Sequence, residues 1–170
     1  MQPDGVKKRA KTPEEALAAL RRLAARAEKA ESDARRLMRG WGLPAAEAER
    51  VLARLVAERF IDDGRYAAAF VREKLRLSGW GEYKIRTALR RKEIPKELID
   101  EALAAAERPD MAERLRQQLQ RKARTVRYGT PYELKTKLIR YGLSLGYEYD
   151  AVLEAAAALA TDTDDSCDEF

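Results

Sequence analysis

A pattern of apolar residues returns three times along this chain and constrains its fold more than any single motif does. Ala34, Met38, Leu43 and Pro44 share their spacing with Ile85, Leu89, Ile94 and Pro95, and with Leu134, Leu138, Leu143 and Ser144. The offsets between the three sets are 51 and 49 residues. A unit of that length holds a few helices that cannot bury an apolar face alone, so each must stack on its neighbours. The period predicts an all-α protein of three tandem three-helix repeats in an elongated, curved array. Such a surface suits binding along another macromolecule better than enclosing a small substrate.

Composition supports the helical reading and removes several functions. Of the 170 residues 37% are charged, and Ala, Leu, Arg and Glu dominate, which is a helix-forming mixture. No stretch approaches the ~20 apolar residues of a membrane span, and residues 1–11 are polar and basic without the apolar core of a signal peptide. The expected setting is soluble and cytoplasmic, with no membrane partner. The only cysteine, Cys167, lies in an acidic stretch, so neither an internal disulfide nor a thiolate metal site is expected. Histidine is absent, which removes the commonest general base and the commonest zinc ligand together. There is no Walker-type phosphate loop and no Gly-x-Ser-x-Gly elbow. The carboxylates are scattered among bases at helical spacings that favour solvated ion pairs. We therefore expect a non-enzyme with no catalytic residue, cofactor or metal.

Helix signals divide the chain into a flexible basic arm (1–11), repeats over 12–61, 62–108 and 109–160, and a disordered acidic tail (161–170). Thr12, Pro13 and Glu15 form a capping-box signature that opens a helix reaching about Lys29. Ser32 is expected to cap the next, and Ala48, Val51, Leu52, Leu55 and Val56 mark the buried stripe of a third. Asp62 and Asp63 open the second repeat, whose first helix ends at Gly79, Trp80 and Gly81. In the third repeat we expect helices over about 110–125, 132–141 and 147–160. Trp41 and Trp80 each lie between two glycines, a pattern that fits packing beside a helix cap and also fits a docking finger. Tyr132 and Tyr149 sit near helix starts and are expected to be partly buried, whereas Tyr128 beside Arg127 is placed to stack on a base.

The net charge of +5 says little, but its distribution says more. Nine bases face two acids between Gly64 and Lys92, and nine face two between Met111 and Tyr141, so each block carries +7. Helical phase, at about 100° per residue, turns Lys84, Arg90 and Arg91 away from the core and sets Arg86 beside it. The candidate binding residues are Arg72, Arg76, Lys84, Arg86, Arg90 and Arg91 in the second repeat, and Lys122, Arg124, Arg127, Lys135 and Lys137 in the third. Such a row can neutralise phosphates or meet acidic protein surface.

The run Phe60, Ile61, Asp62, Asp63, Gly64, Arg65, Tyr66, Ala67 and Phe70 resembles the signature opening the central repeat of the bacterial RecX regulatory proteins. Gly79, Trp80, Gly81, Lys84, Ile85, Leu89, Arg91 or Lys92, Ile94 and Pro95 are similar to the segment that follows it in that family. Three features depart from the family pattern. Arg59 and Glu93 stand where glycine is usual, and the link from Phe70 to Gly79 is one residue longer. The resemblance implies a curved, all-helical, non-enzymatic modulator that lies in the groove of the RecA filament on single-stranded DNA. In the family this usually suppresses strand exchange, DNA-stimulated ATP hydrolysis and cleavage of the SOS repressor. The alternative is a protein that binds DNA directly, without RecA, through the same basic face. The repeats themselves do not demand a dimer, and a monomer is expected.

Overall fold

Thr12 closes a capping box at the first helix: its side chain accepts from the Glu15 N–H at 3.2 Å, and the Glu15 carboxylate accepts from the Thr12 N–H at 2.9 Å. Exchanges of this kind contribute about 1 kcal/mol per cap. Asp62, Asp110 and Thr130 cap three later helices by accepting from Arg65, Glu113 and Glu133. The computed structural model describes residues 9–164, with side chains over 9–161, and all regular structure among them is helical. The elements are α1 (Pro13–Ala24), α2 (Glu31–Gly40), α3 (Ala45–Ala57), α4 (Asp63–Glu73), α5 (Glu82–Arg91), α6 (Lys96–Ala105), α7 (Met111–Thr125), α8 (Pro131–Ser144) and α9 (Tyr149–Asp164). A π turn, Lys74–Ser78, continues α4. One extra residue in a helix produces such a turn, and it takes up the added residue between Phe70 and Gly79.

Several expectations need adjusting. Residues 9–11 pack rather than trail: Arg9 pairs with Glu15 at 2.6 Å, and the Lys11 N–H donates to the Trp41 carbonyl at 3.0 Å. The rest of the basic arm lies outside the described residues. Helix α1 stops at Ala24, short of Lys29. Ser32 does not cap α2, which starts two residues earlier than such a cap would place it, behind Ala30; the Ser32 hydroxyl donates instead to the Lys92 carbonyl at 2.7 Å. Helix α9 runs on past Ala160 to Asp164, and residues 165–170 lie outside the described residues.

Three apolar clusters, one per helix trio, hold the chain together. Leu20, Met38 and Leu55 centre the first, Ile85, Leu89, Ile99 and Leu103 the second, and Leu115, Leu119, Leu134 and Leu138 the third. Ala30 enters the second cluster, and Met111 packs on both the second and the third. The clusters therefore follow one another as a tandem array of helix trios.

The third repeat follows a different register from the one its sequence spacing suggested. In the first two repeats the second helix ends on a left-handed residue, Gly42 or Glu93, and the next N–H, of Leu43 or Ile94, donates back to Met38 or Leu89. In the third that role falls to Gly146, and the Tyr147 N–H donates to Gly142. Helix α8 is longer than α5, 14 residues against 10, or about one turn. Leu143 is consequently exposed, and Tyr147 takes the buried position.

Arg59 (φ 59°) and Glu93 (φ 60°) are the non-glycine residues with positive φ among the described residues. They are the two positions where the family pattern has glycine. A side chain in the left-handed region costs about 1–2 kcal/mol, of which glycine's extra unfolded-state freedom offsets about half. Arg59→Gly and Glu93→Gly should each raise unfolding stability by about 0.5–1 kcal/mol, read as a higher urea midpoint at constant slope.

Candidate macromolecule-binding surface

The first two units are joined by charge. The Glu31 N–H donates to Asp63 at 2.8 Å, Arg65 pairs with Glu28 at 2.7 Å, and Lys92 reaches the nearly buried Asp33 at 2.6 Å. Burial opposes the Asp33 charge, but hydrogen bonds from Lys92 and Arg36 outweigh it and hold the carboxyl below its ordinary value. A carboxyl lowered on folding adds stability above its unfolded pKa and loses it as pH falls through the folded one. Asp33→Asn should cost about 1–2 kcal/mol at neutral pH. The gap to the parent protein should close on acidification below roughly pH 4, as read by thermal unfolding across pH.

The second and third units meet backbone to backbone. The Gly81 N–H donates to Leu145 at 2.7 Å, and the Tyr83 N–H donates to Gly146 at 3.2 Å. The Gly79 carbonyl accepts from Gln118 at 2.7 Å and from the Tyr147 hydroxyl at 3.1 Å. Arg114 grips the π turn by donating to the carbonyls of Leu75 and Arg76, while Arg108, at the end of the second unit, pairs within that unit with Glu82 at 3.0 Å. This junction fixes the basic faces of adjacent units relative to one another.

Of the eleven predicted cations only Arg86 makes an ion pair among the described residues, and seven, Arg72, Arg76, Arg90, Arg91, Arg124, Arg127 and Lys135, also make no side-chain hydrogen bond or ring contact there. Arg72 and Arg76 flank a groove of about 390 Å³ floored by Ala68, Ala102, Ala105 and Ala106. Arg90 and Arg91 are exposed in the last turn of α5. Arg124 and Arg127 are exposed around the end of α7, and half-buried Lys135 follows on α8.

The other four are held internally to different degrees. Arg86 lies between Asp100 at 2.5 Å and Glu82 at 2.8 Å, and those hydrogen bonds, Asp100 first, raise its pKa. It is a structural residue and leaves the candidate surface. Lys137 donates to the Arg127 carbonyl at 2.6 Å and so shapes the α7–α8 loop. Lys84 sits 4.3 Å over the Trp80 ring, and Lys122 sits 5.3 Å over Tyr141. Trp80 also packs edge-on against Phe70, and Trp41 lies under Lys11, so both tryptophans follow the packing alternative.

Sequence reasoning missed Arg121, an exposed cation beside the Leu77–Gly79 turn, in a cleft it shares with Arg114 and Gln117. Its spacing of seven from Arg114 places both on one face of α7, and that was the readable signal. Tyr132 (78% exposed) and Tyr149 (54%) are on the surface rather than partly buried, and Tyr128 (41%) is also accessible. Among the described residues no helix is long and apolar enough to cross a membrane, and no three acidic, Cys or His side chains gather as metal ligands.

The fold and surface define a helical-repeat protein that presents cations along adjacent units. Residues 62–103 match the second three-helix domain of RecX, and residues 110–156 match the third. The regulatory protein RecX of Chlorobaculum tepidum is 31% identical over 137 residues, covering 80% of this chain and 82% of that one. The chain belongs to the RecX family. The Clostridium botulinum (strain Alaska E43) protein is 35% identical over 95 residues, 55% of this chain and 44% of its own. The Thermus thermophilus protein is 39% identical over 85 residues, 49% and 58% respectively. The chain thus spans about half the length of these last two relatives. A crystal structure of regulatory protein RecX superposes with a TM-score of 0.74 at 24% identity, covering 82% of this chain and 70% of that one. RecX from Lactobacillus salivarius gives 0.70 at 17%, covering 86% and 96%. These two structures share the fold.

Proposed function

We propose that this chain modulates RecA by binding its filament on single-stranded DNA and restraining ATP hydrolysis, strand exchange and repressor cleavage. The observation that carries this reading is the set of unpaired cations repeated on two adjacent units that backbone hydrogen bonds join. A helical filament presents acidic surface and phosphate at regular intervals, and an extended array can meet several intervals at once. The protein works as a cytoplasmic monomer, and the chemistry of hydrolysis belongs to RecA.

A second reading, direct binding to single-stranded DNA, draws on the exposed rings of Tyr128 and Tyr132 beside Arg124 and Arg127. Stacking rings among cations suit unpaired bases. Binding of a labelled oligonucleotide, bare or coated with RecA, separates the two readings at matched salt. Tighter binding to the coated strand supports the filament reading; equal or weaker binding sinks it and favours direct DNA binding.

A further inference from the structure

The third unit is an up-down-up bundle. Five residues join α7 to α8 and four join α8 to α9, so neighbouring helices run antiparallel. The end of α7, the start of α8 and the end of α9 therefore lie at the same end of the bundle. The third cluster agrees, since Leu159 of α9 joins it together with Ala123 and Val126 at the end of α7.

Charge is sharply divided across this bundle. Helix α7 carries five bases against one acid and α8 three against one, whereas α9 carries Asp150, Glu154, Asp162 and Asp164 and no base at all. Two of those acids fall in the last turn of α9, where the helix dipole disfavours negative charge. Helix α9 supplies no countercharge of its own. Arg124, Arg127 and Lys135 stand at the same end without an ion pair among the described residues. The sequence then adds Asp165, Asp168 and Glu169, and six residues can reach roughly 20 Å.

We propose that the acidic segment 162–170 docks on the cationic end of α7 and α8 and competes there with a polyanionic partner. The inference rests on the reading of that end as part of the binding surface. Its carboxylates stand in for phosphates or acidic side chains, and a partner must displace them before engaging Arg124, Arg127 and Lys135. The tether keeps the competitor at high local concentration, so the third unit is held back until a partner of sufficient charge density arrives.

Two measurements on the full chain test this. At low salt, zero-length carbodiimide coupling should join Lys122, Lys135 or Lys137 to Asp165, Asp168 or Glu169 within one molecule, and about 1 M salt should abolish it. Coupling that is absent at low salt overturns the docking. The variant Asp165→Asn/Asp168→Asn/Glu169→Gln should bind oligothymidylate ~10-fold more tightly than the parent at low salt, with the gap closing as salt rises. Coupling with equal affinities overturns the competition. If neither protein binds oligothymidylate, bare or coated with RecA, the reading of the surface is what fails, and the coupling result distinguishes that failure from failed docking.

Discussion

Gly81→Ala is expected to destabilise the protein by about 3 kcal/mol and to loosen the third unit from the second. A Cβ at position 81 would lie 2.2 Å from the Gly146 carbonyl oxygen and 2.5 Å from the Tyr147 nitrogen. Those atoms belong to backbone, so no side chain can swing aside. Relief requires the start of α5 and the turn after α8 to separate, which breaks the Gly81–Leu145 and Tyr83–Gly146 hydrogen bonds at about 1 kcal/mol each. Limited proteolysis should then cut between the units, and urea unfolding should show a lower midpoint. Gly129→Ala is the matched control: the nearest atom to its Cβ is a Glu133 carboxylate oxygen at 3.6 Å, and stability should stay within about 0.5 kcal/mol. Equal effects at both positions would remove the close approach as the basis of the junction.

Reversing the free cations of the third unit, Arg124→Glu, Arg127→Glu and Lys135→Glu together, should weaken binding to RecA-coated single-stranded DNA by ~100-fold. It should also flatten the salt dependence by about one unit of slope per lost contact. None of the three makes an ion pair among the described residues, so folding should be spared. The first unit supplies the control. Arg22→Glu, Arg26→Glu and Arg50→Glu change net charge by the same amount at positions outside the candidate surface. Similar losses from both triples would mean that binding follows net charge and that the third unit holds no special site.

Much of the fold was legible because it rests on local rules. The Thr12 capping box, the Asp62 cap, the glycine break after the π turn and the apolar stripe of α3 are each fixed by a few neighbouring residues, although Val56, expected in that stripe, is exposed and only Ala48, Val51, Leu52 and Leu55 are buried. What escaped was set by distant parts of the chain. Ser32 reads as a cap, yet its hydroxyl is drawn to Lys92, 60 residues away. The extra turn of α8 let Leu143 mimic a core position that Tyr147 actually fills. At the surface, helical phase located the exposed cations well but could not show partners. Nothing near Arg86 in sequence reveals that Asp100, on the next helix, would share in claiming its charge. Arg59 and Glu93 show the reverse case, since the family pattern marked them as missing glycines and the backbone there is left-handed.

DNA-stimulated ATP hydrolysis by RecA from the same organism, titrated with this protein at physiological salt, tests the regulatory reading most directly. Turnover should fall at protein concentrations well below those that coat the same single-stranded DNA when it is bare. Unchanged turnover across that range, with tight binding to the bare strand, would contradict it and leave a direct DNA-binding protein on the RecX fold.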